Sequence, residues 1–520
     1  MKRFLSLILI VTLLLSILAG CSVEPIPEEE KADTASPAPE AAEEEAPAEE
    51  SAPVDFGLAW EPDGGLNPFQ SDCVTNLPIQ SLLYEELFVV NQNFEAEPVL
   101  CKSYKVSEDK TTWVFEIRDD VYFSDGSKLT AEDVVASWEA AASSKFYILR
   151  FRTVAWYAAT GEYEITLVCN TPSENICTVL DLPVCKKGTM KKDVPIGSGP
   201  YYLFARGSML YRNSKWWGGT PTVDVPRIAL IQLDSADDVR YEFEFGDADV
   251  VYTDPYMYHV AEFHGDNEPY GLTTTVMQYI GFNLDSLYCS TPSFRSAITY
   301  GIDRETIIKD IYGGYGEAAS IPCSSHCSWY DGALASSYAY NTDALRNAYR
   351  ASGISADPSN PMKLIVSDEN PRRILAAQAI ADSLTRAGIF TSVTKMDYET
   401  FLYALVTGDY DIYLTEVRLP NTFDLSCFFN GSYYINIDGY SSELCRTQCN
   451  AAMENSENFY NLYQTIMSQG LLVPIMFKTT VLYTTRGTMK RQNPSISNLL
   501  QPGGTAIMEE IYAGEPEIVY

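Results

Sequence analysis

Cys21 is the residue of this 520-residue chain whose setting most directly suggests chemistry. It follows Leu18-Ala19-Gly20, and a thiol nucleophile with small neighbours is what covalent modification at such a place requires. The other close groupings are Cys323-Ser324-Ser325-His326-Cys327 and Cys445-Arg446-Thr447-Gln448-Cys449. The first would offer a metal two thiolates and one imidazole. A structural metal site needs four ligands at recognised spacing, and the remaining histidines, His259 and His264, lie far off in sequence. These pairs therefore read as disulfides or free thiols, and no metal or cofactor is expected. Eleven cysteines follow Cys21, so not all of them can pair within the chain. There is no His-Glu-x-x-His and no Gly-x-Ser-x-Gly, and three histidines supply little acid–base machinery, so an enzyme is not the expectation. Gly197-Ser198-Gly199 imitates a phosphate loop but precedes a strand pattern, so it offers an anion no helix N-terminus.

Ahead of Cys21, Lys2 and Arg3 open an apolar run from Phe4 to Ala19. A basic start, a short apolar core and small residues before the cut describe an export signal; the run is shorter than the roughly 20 residues that span a bilayer. With Cys21 in place, residues 1–20 resemble a bacterial lipoprotein signal. That resemblance implies a diacylglyceryl group on the Cys21 thiol, a mature chain beginning there, and an extracytoplasmic protein held to the cell membrane by lipid. Residues 21–53 are mostly Glu, Ala and Pro, with eleven acidic residues against one Lys after the cysteine. Such a segment cannot bury enough apolar surface to offset its ordering entropy, and reads as a disordered tether reaching on the order of 100 Å.

The chain carries a formal charge of −34, with 70 acidic residues against 36 Lys and Arg. That argues against nucleic acid and against direct docking on anionic lipid, leaving the lipid anchor as the membrane contact. Beyond the tether, elements alternate. Phe56 to Ala59 reads as a strand and Leu77 to Leu87 as a helix. Trp113 to Arg118, Val121 to Phe123 and Tyr163 to Val168 read as strands, with a capping box from Thr130 to Asp133 opening a helix. Gly246-Asp247-Ala248-Asp249 and Gly408-Asp409-Tyr410-Asp411 repeat one device: a helix, a Gly suited to the left-handed stop, then a strand. Leu364 to Val366, a helix capped by Asn370 with Pro371 at its first turn and stopped by Gly388, and Phe390 to Val393 form a βαβ unit. Strands joined by helices imply α/β layers.

Several stretches, in one order, resemble the family 5 extracellular solute-binding proteins of ABC importers, the peptide- and nickel-binding class. They are Asn67-Pro68-Phe69, Tyr84-Glu85-Glu86-Leu87-Phe88, Ile117 to Gly126 continuing through Leu129 to Val135, Gly197-Ser198-Gly199-Pro200-Tyr201, Trp217-Gly218-Gly219, Tyr279 to Asn283, and Arg295 to Arg304. The resemblance implies a two-lobed periplasmic-binding-protein-like fold of type II, the large peptide-binding class, with an extra domain in lobe I. Lobe I would comprise 54–94, 191–275 and 480–520, the extra domain 95–190, and lobe II 276–479. It further implies a monomeric receptor that closes on a peptide and passes it to the permease subunits of an ABC importer. Another small solute, a nickel chelate, or sensing without import are the alternatives.

Peptide-binding members hold the ligand's amine with an Asp in a Trp-x-x-Asp-Tyr-x-Asp-Pro stretch. Here that place reads Leu414 to Asp424, without the Trp or the Asp-Tyr pair. Glu416 or Asp424 could replace the amine-binding carboxylate, and Arg418 could instead receive a carboxylate through a two-pronged hydrogen bond; Asn421 lies between them. The other cleft candidates are Ser71, Asp72 and Asn76 after the Asn-Pro-Phe, and Gln278 and Tyr279 where lobe II begins.

Overall fold

The structure, a computed structural model, describes residues 56–204, 208–234, 236–256, 263–429, 440–487, 494–497 and 499–500. The signal run, Cys21, the tether and the last stretch of the expected lobe I, 501–520, lie outside them. Among the described residues no helix is long and apolar enough to cross a membrane.

The backbone of the molecule is one mixed sheet. Its strands are β1 (Gly57–Trp60), β2 (Tyr201–Leu203), β3 (Met209–Arg212), β4 (Arg227–Gln232), β5 (Val250–Thr253), β6 (Asn267–Phe282), β7 (Met362–Ser367), β8 (Thr391–Met396), β9 (Ile412–Arg418) and β10 (Leu472–Thr485). Their spatial order is β2-β3-β4-β1-β5-β10-β6-β9-β7-β8, with Glu317–Ala318 added against β10. β6 is 16 residues long and β10 is 14. At about 3.4 Å per residue β6 runs roughly 50 Å. Its first half faces the second half of β10 beside β5, and its second half faces the start of β10 beside β9. The pairing shifts register between Thr273 and Met277.

This long pair separates two halves, each with its own packed layers. In the first, α1 (Leu77–Leu83) covers β1 and β5, and Leu58, Ile79, Leu82, Ile228 and Val250 share one core. That core continues into a four-stranded antiparallel sheet of Cys101–Val106, Thr112–Ile117, Glu164–Cys169 and Val154–Ala159. Its helix α2 (Ala131–Ala142) starts at the expected capping box, where the Asp133 carboxylate accepts from the Thr130 N–H at 2.9 Å. In the second half, Ile280, Phe282, Leu364, Ile412 and Val473 pack on one side of the sheet. Met277, Tyr279, Ile365, Tyr413 and Phe477 pack on the other. The alternation follows from the period of two along each strand. α3 (Pro371–Arg386) joins the parallel strands β7 and β8, its first N–H groups capped by Asn370 at 3.0 and 3.1 Å.

Three local readings need correction. The helix expected over Leu77 to Leu87 stops at Leu83, because Glu85 and Glu86 pair with Pro183 and Val184 as a short antiparallel strand. Val121 to Phe123 forms only an isolated bridge, Tyr122 to Lys128, around the Asp125-Gly126 turn. Gly408 takes the left-handed φ of 75°, whereas Gly246 keeps an ordinary φ and is instead wedged against Glu242.

The resembling motifs fold into buried polar joints. Glu85 is fully buried and accepts from Trp216 Nε1 and Ser198 Oγ at 2.8 Å and from Trp217 Nε1 at 3.1 Å. Gly197 and Gly199 sit so close to the C-terminal carbonyls of α1 that a Cβ would lie 1.9 Å from Leu83 O and 2.3 Å from Leu82 O. That contact explains the Gly-Ser-Gly without any anion. Arg295 spends its guanidinium on the carbonyls of Gly470, Cys289 and Gln469 at 2.7–2.8 Å. Its Nε and Nη2 thereby satisfy the orphan end of α4 (Phe459–Gln469). Arg304 donates to Ala319 and Pro474 carbonyls, and burial pulls its pKa down to about 10.

Burial pushes the Glu85 carboxyl up to about 7, against three donors that pull it down. A raised folded pKa binds a proton that the unfolded chain has released. Its stabilisation is therefore complete below the ordinary glutamate range and is lost as pH rises to about 7. The loss is about 3 kcal/mol. Denaturant midpoints should fall as pH rises from 5 to about 7.5, and Glu85→Gln should flatten that slope while lowering stability at pH 5.

Candidate functional site

The two halves meet where β6 and β10 change register. Thr274 Oγ1 donates to the Lys478 carbonyl at 2.9 Å and accepts from the Val276 N–H at 3.1 Å, fixing the irregular turn of chain. The side chain of Lys478 is buried there, 8% exposed, between carboxylates from both halves. Its ammonium lies 3.4 Å from Asp254, just past β5, and 3.5 Å from Glu416 on β9. It also stands 4.6 Å from the centre of the Tyr256 ring. Glu416 is held a second time by Arg373 of α3 at 3.0 Å. Asn370, the cap of α3, donates to the Tyr256 carbonyl at 3.4 Å, and the Tyr256 hydroxyl donates to the Tyr315 carbonyl. Tyr252, two residues before Asp254, shares a hydrogen bond of 2.6 Å with Thr480. Burial raises its phenol to about 12, with Asp254 adding to the rise and the hydrogen bond and Arg418 opposing it.

The candidate residues divide sharply against this geometry. Asn76 is fully buried and its amide is consumed by the backbone of Glu61 and Gly65 at 2.8–3.0 Å. Ser71 donates to the Gly64 carbonyl, while Asp72 is exposed beside it. Gln278 accepts from the Tyr312 hydroxyl at 3.0 Å, and Tyr279 is a core ring stacked edge-on to Phe428 at 5.2 Å. Asn421 donates to the Thr178 carbonyl at 2.9 Å and to Asp181 at 3.2 Å, tying the loop after β9 to the four-stranded-sheet region. Asp424 closes its own turn through the N–H and hydroxyl of Ser426 at 2.9 and 2.6 Å. Glu416 and Arg418 are the two candidates that the structure places together, two residues apart on β9 and so on one face of it. Their pairing with each other is not seen; Glu416 turns to Lys478 and Arg373. Lys478, Asp254, Arg373 and Tyr256 were not singled out in the sequence, where nothing marks charges so far apart as neighbours.

A second seam joins the four-stranded-sheet region to the other half. Glu174 accepts from the Ser456 N–H and hydroxyl at 2.9 Å and pairs with Lys110 at 3.0 Å. Phe94 inserts its ring against Phe423 at 4.9 Å.

All eleven cysteines after Cys21 are free thiols, nine of them buried. Burial pushes Cys169 up to about 11 and Cys445 up to about 12. Those two thiols are therefore protonated and poor nucleophiles. His326 is exposed, and among the described residues no three His, Cys, Asp or Glu stand where they could hold a metal.

A sheet shared by two packed halves, with a charged seam at their crossover, defines a two-lobed α/β binding protein. The comparisons agree. Residues 95–435 match the model of the bacterial extracellular solute-binding proteins, family 5, and the chain belongs to that family of ABC-importer receptors. It is 26% identical over 374 residues to the nickel-binding protein NikA of Staphylococcus aureus, covering 69% of this chain and 74% of that protein. It is 22% identical over 353 residues to the glutathione-binding protein GsiB of Escherichia coli, covering 64% and 67%. In fold it is similar to the ABC transporter substrate-binding protein CtaP of Listeria monocytogenes. There the TM-score is 0.71 at 18% identity, covering 86% of this chain and 98% of that one.

Replacing Lys478 by Met would leave Asp254 and Glu416 without their shared cation. Stability should fall by about 3 kcal/mol, as for a broken buried pair. Neutralising Asp254 as well, in Lys478→Met/Asp254→Asn, should recover much of that loss, because Glu416 keeps Arg373. Urea unfolding of the two variants checks both statements.

Proposed function

We propose that this chain is a lipid-anchored extracytoplasmic receptor that encloses a peptide between its lobes and delivers it to an ABC importer. The observation that carries the reading is the β6–β10 pair. Two continuous strands run through both lobes, and their pairing is irregular only near the crossover, between Thr273 and Tyr279. Bending there would change the angle between the two packed halves without unfolding either core. A solute that contacts both lobes would bind the closed form better, and that difference drives closure. The seams at Glu174–Ser456 and Asn421–Asp181 supply polar contacts that closure could make or break.

In this reading lobe I comprises 54–94, 191–275 and 480–520, the inserted domain 95–190, and lobe II 276–479. Cys21 carries the lipid, residues 21–53 hold the receptor off the membrane, and the receptor works as a monomer. A second reading, a nickel chelate or another small solute, is favoured by the relative named for nickel.

Mass spectrometry of the solute released from natively purified protein tests the ligand class. A set of short peptides is expected, intact after incubation with the receptor. One defined non-peptide molecule would replace the peptide reading by the second. For the anchor, Cys21→Ser should abolish labelling by fatty acid and move the protein from the membrane to the soluble fraction.

A further inference from the structure

We propose that Arg418 is the point at which this receptor grips a carboxylate of its solute, and that the solute's amine is not recognised at the lobe crossover. The inference rests on the receptor reading above and assigns the chemistry of its site.

The carboxylates near the crossover are already occupied. Glu416 has one oxygen toward Arg373 and the other toward Lys478. Asp254 accepts from the Tyr256 N–H at 2.9 Å and faces Lys478. Asp424, the other candidate for an amine, has both oxygens on Ser426. An incoming ammonium would have to share Glu416 with both Lys478 and Arg373. It would also sit near both of them, a like-charge contact that opposes its binding.

Arg418 is the opposite case. It lies on the same face of β9 as Glu416, opposite Val276 at the irregular stretch of β6. Its guanidinium is exposed and, among the described residues, has no ion-pair or hydrogen-bond partner. Arg418 lies two residues along β9 from Glu416, whose ion-pair partner Lys478 also meets Asp254 of the first lobe, which places it beside the lobe crossover. Arg373 and Lys478 are paired with Glu416 and Asp254, so Arg418 adds a positive charge that no ion pair among the described residues compensates. This occurs in a chain whose acidic residues outnumber Lys and Arg 70 to 36. A guanidinium presents paired N–H donors that match a carboxylate, and such a contact is strengthened by removal from water when lobes close. Arg372, next to Arg373 at the start of α3, also has no ion-pair partner among the described residues and would add to the same field.

The test uses the mature protein freed of solute by dialysis. Its probe is a random tetrapeptide mixture in three forms: free, N-acetylated and C-amidated. Captured species are read by mass spectrometry and affinities of recovered peptides by calorimetry. Free and N-acetylated peptides should bind within threefold of each other, and the amides at least tenfold more weakly. Arg418→Gln should bring free peptides to the level of the amides without changing the melting temperature, and Arg418→Lys should recover part of the loss. Loss of binding on acetylation with retention on amidation would overturn the proposal, as would an unchanged affinity in Arg418→Gln. A parallel arm uses succinate, glutarate and citrate. Binding of one of these but no peptide, abolished by Arg418→Gln, would remove the peptide reading and leave the carboxylate assignment standing. No binding in either arm would end the assignment.

Discussion

The structure depends on the pairing of β6 with β10. Every other strand of the central sheet lies within one half, but these two pass through both, and the hydrogen bonds between them set the position of one half against the other. Their pairing is regular at both ends and irregular near the crossover. At that point the sheet cannot offer a flat apolar surface, and a buried ammonium takes its place. Lys478 is stable there because Asp254 and Glu416 approach it from opposite halves and the Tyr256 ring covers it. A buried charge is tolerable only when it is paired in this way. The seam therefore stabilises the crossover and uses its carboxylates internally.

The family motifs were legible and their meaning was not. Asn67, Glu85, Ser198, Trp217, Arg295 and Arg304 all read as markers of a binding protein. Each proves to hold backbone or buried side chains together. Asn67, for example, donates to the carbonyls of Met190 and Lys192 at 2.8 and 2.7 Å. Such residues tolerate little change because a buried polar group without its partner costs more than the bond itself contributes. The motifs thus identify the fold and leave the specificity to residues outside them.

What the sequence showed well was local. The βαβ unit from β7 to β8, with Asn370 as cap and Gly388 at a left-handed φ of 90°, is written in residues that neighbour one another. The capping box of α2 and the turn at Gly126 are of the same kind. What it hid was non-local. The length of β6 was not visible, because its first half, Asn267 to Thr275, carries partly exposed residues, Pro269 and Gly271 among them, without a strand's apolar alternation. Nor could the sequence join 254, 373, 416 and 478, since a chain with 70 acidic residues offers each cation many partners. Of the candidate site, Glu416 and Arg418 were reached through the resemblance, while Asn76, Gln278 and Asn421 could be recognised as internal only from their partners.

The central claim is that the lobes move about the β6–β10 crossover and shut on a solute. Single-molecule energy transfer between dyes on the exposed positions 245 and 403, one on each lobe, measures this directly. With the solute pool recovered from native protein, the distance distribution should collapse from a broad population to one narrow, changed value. It should broaden again when the solute is removed. One unchanging distance with and without solute would contradict the account.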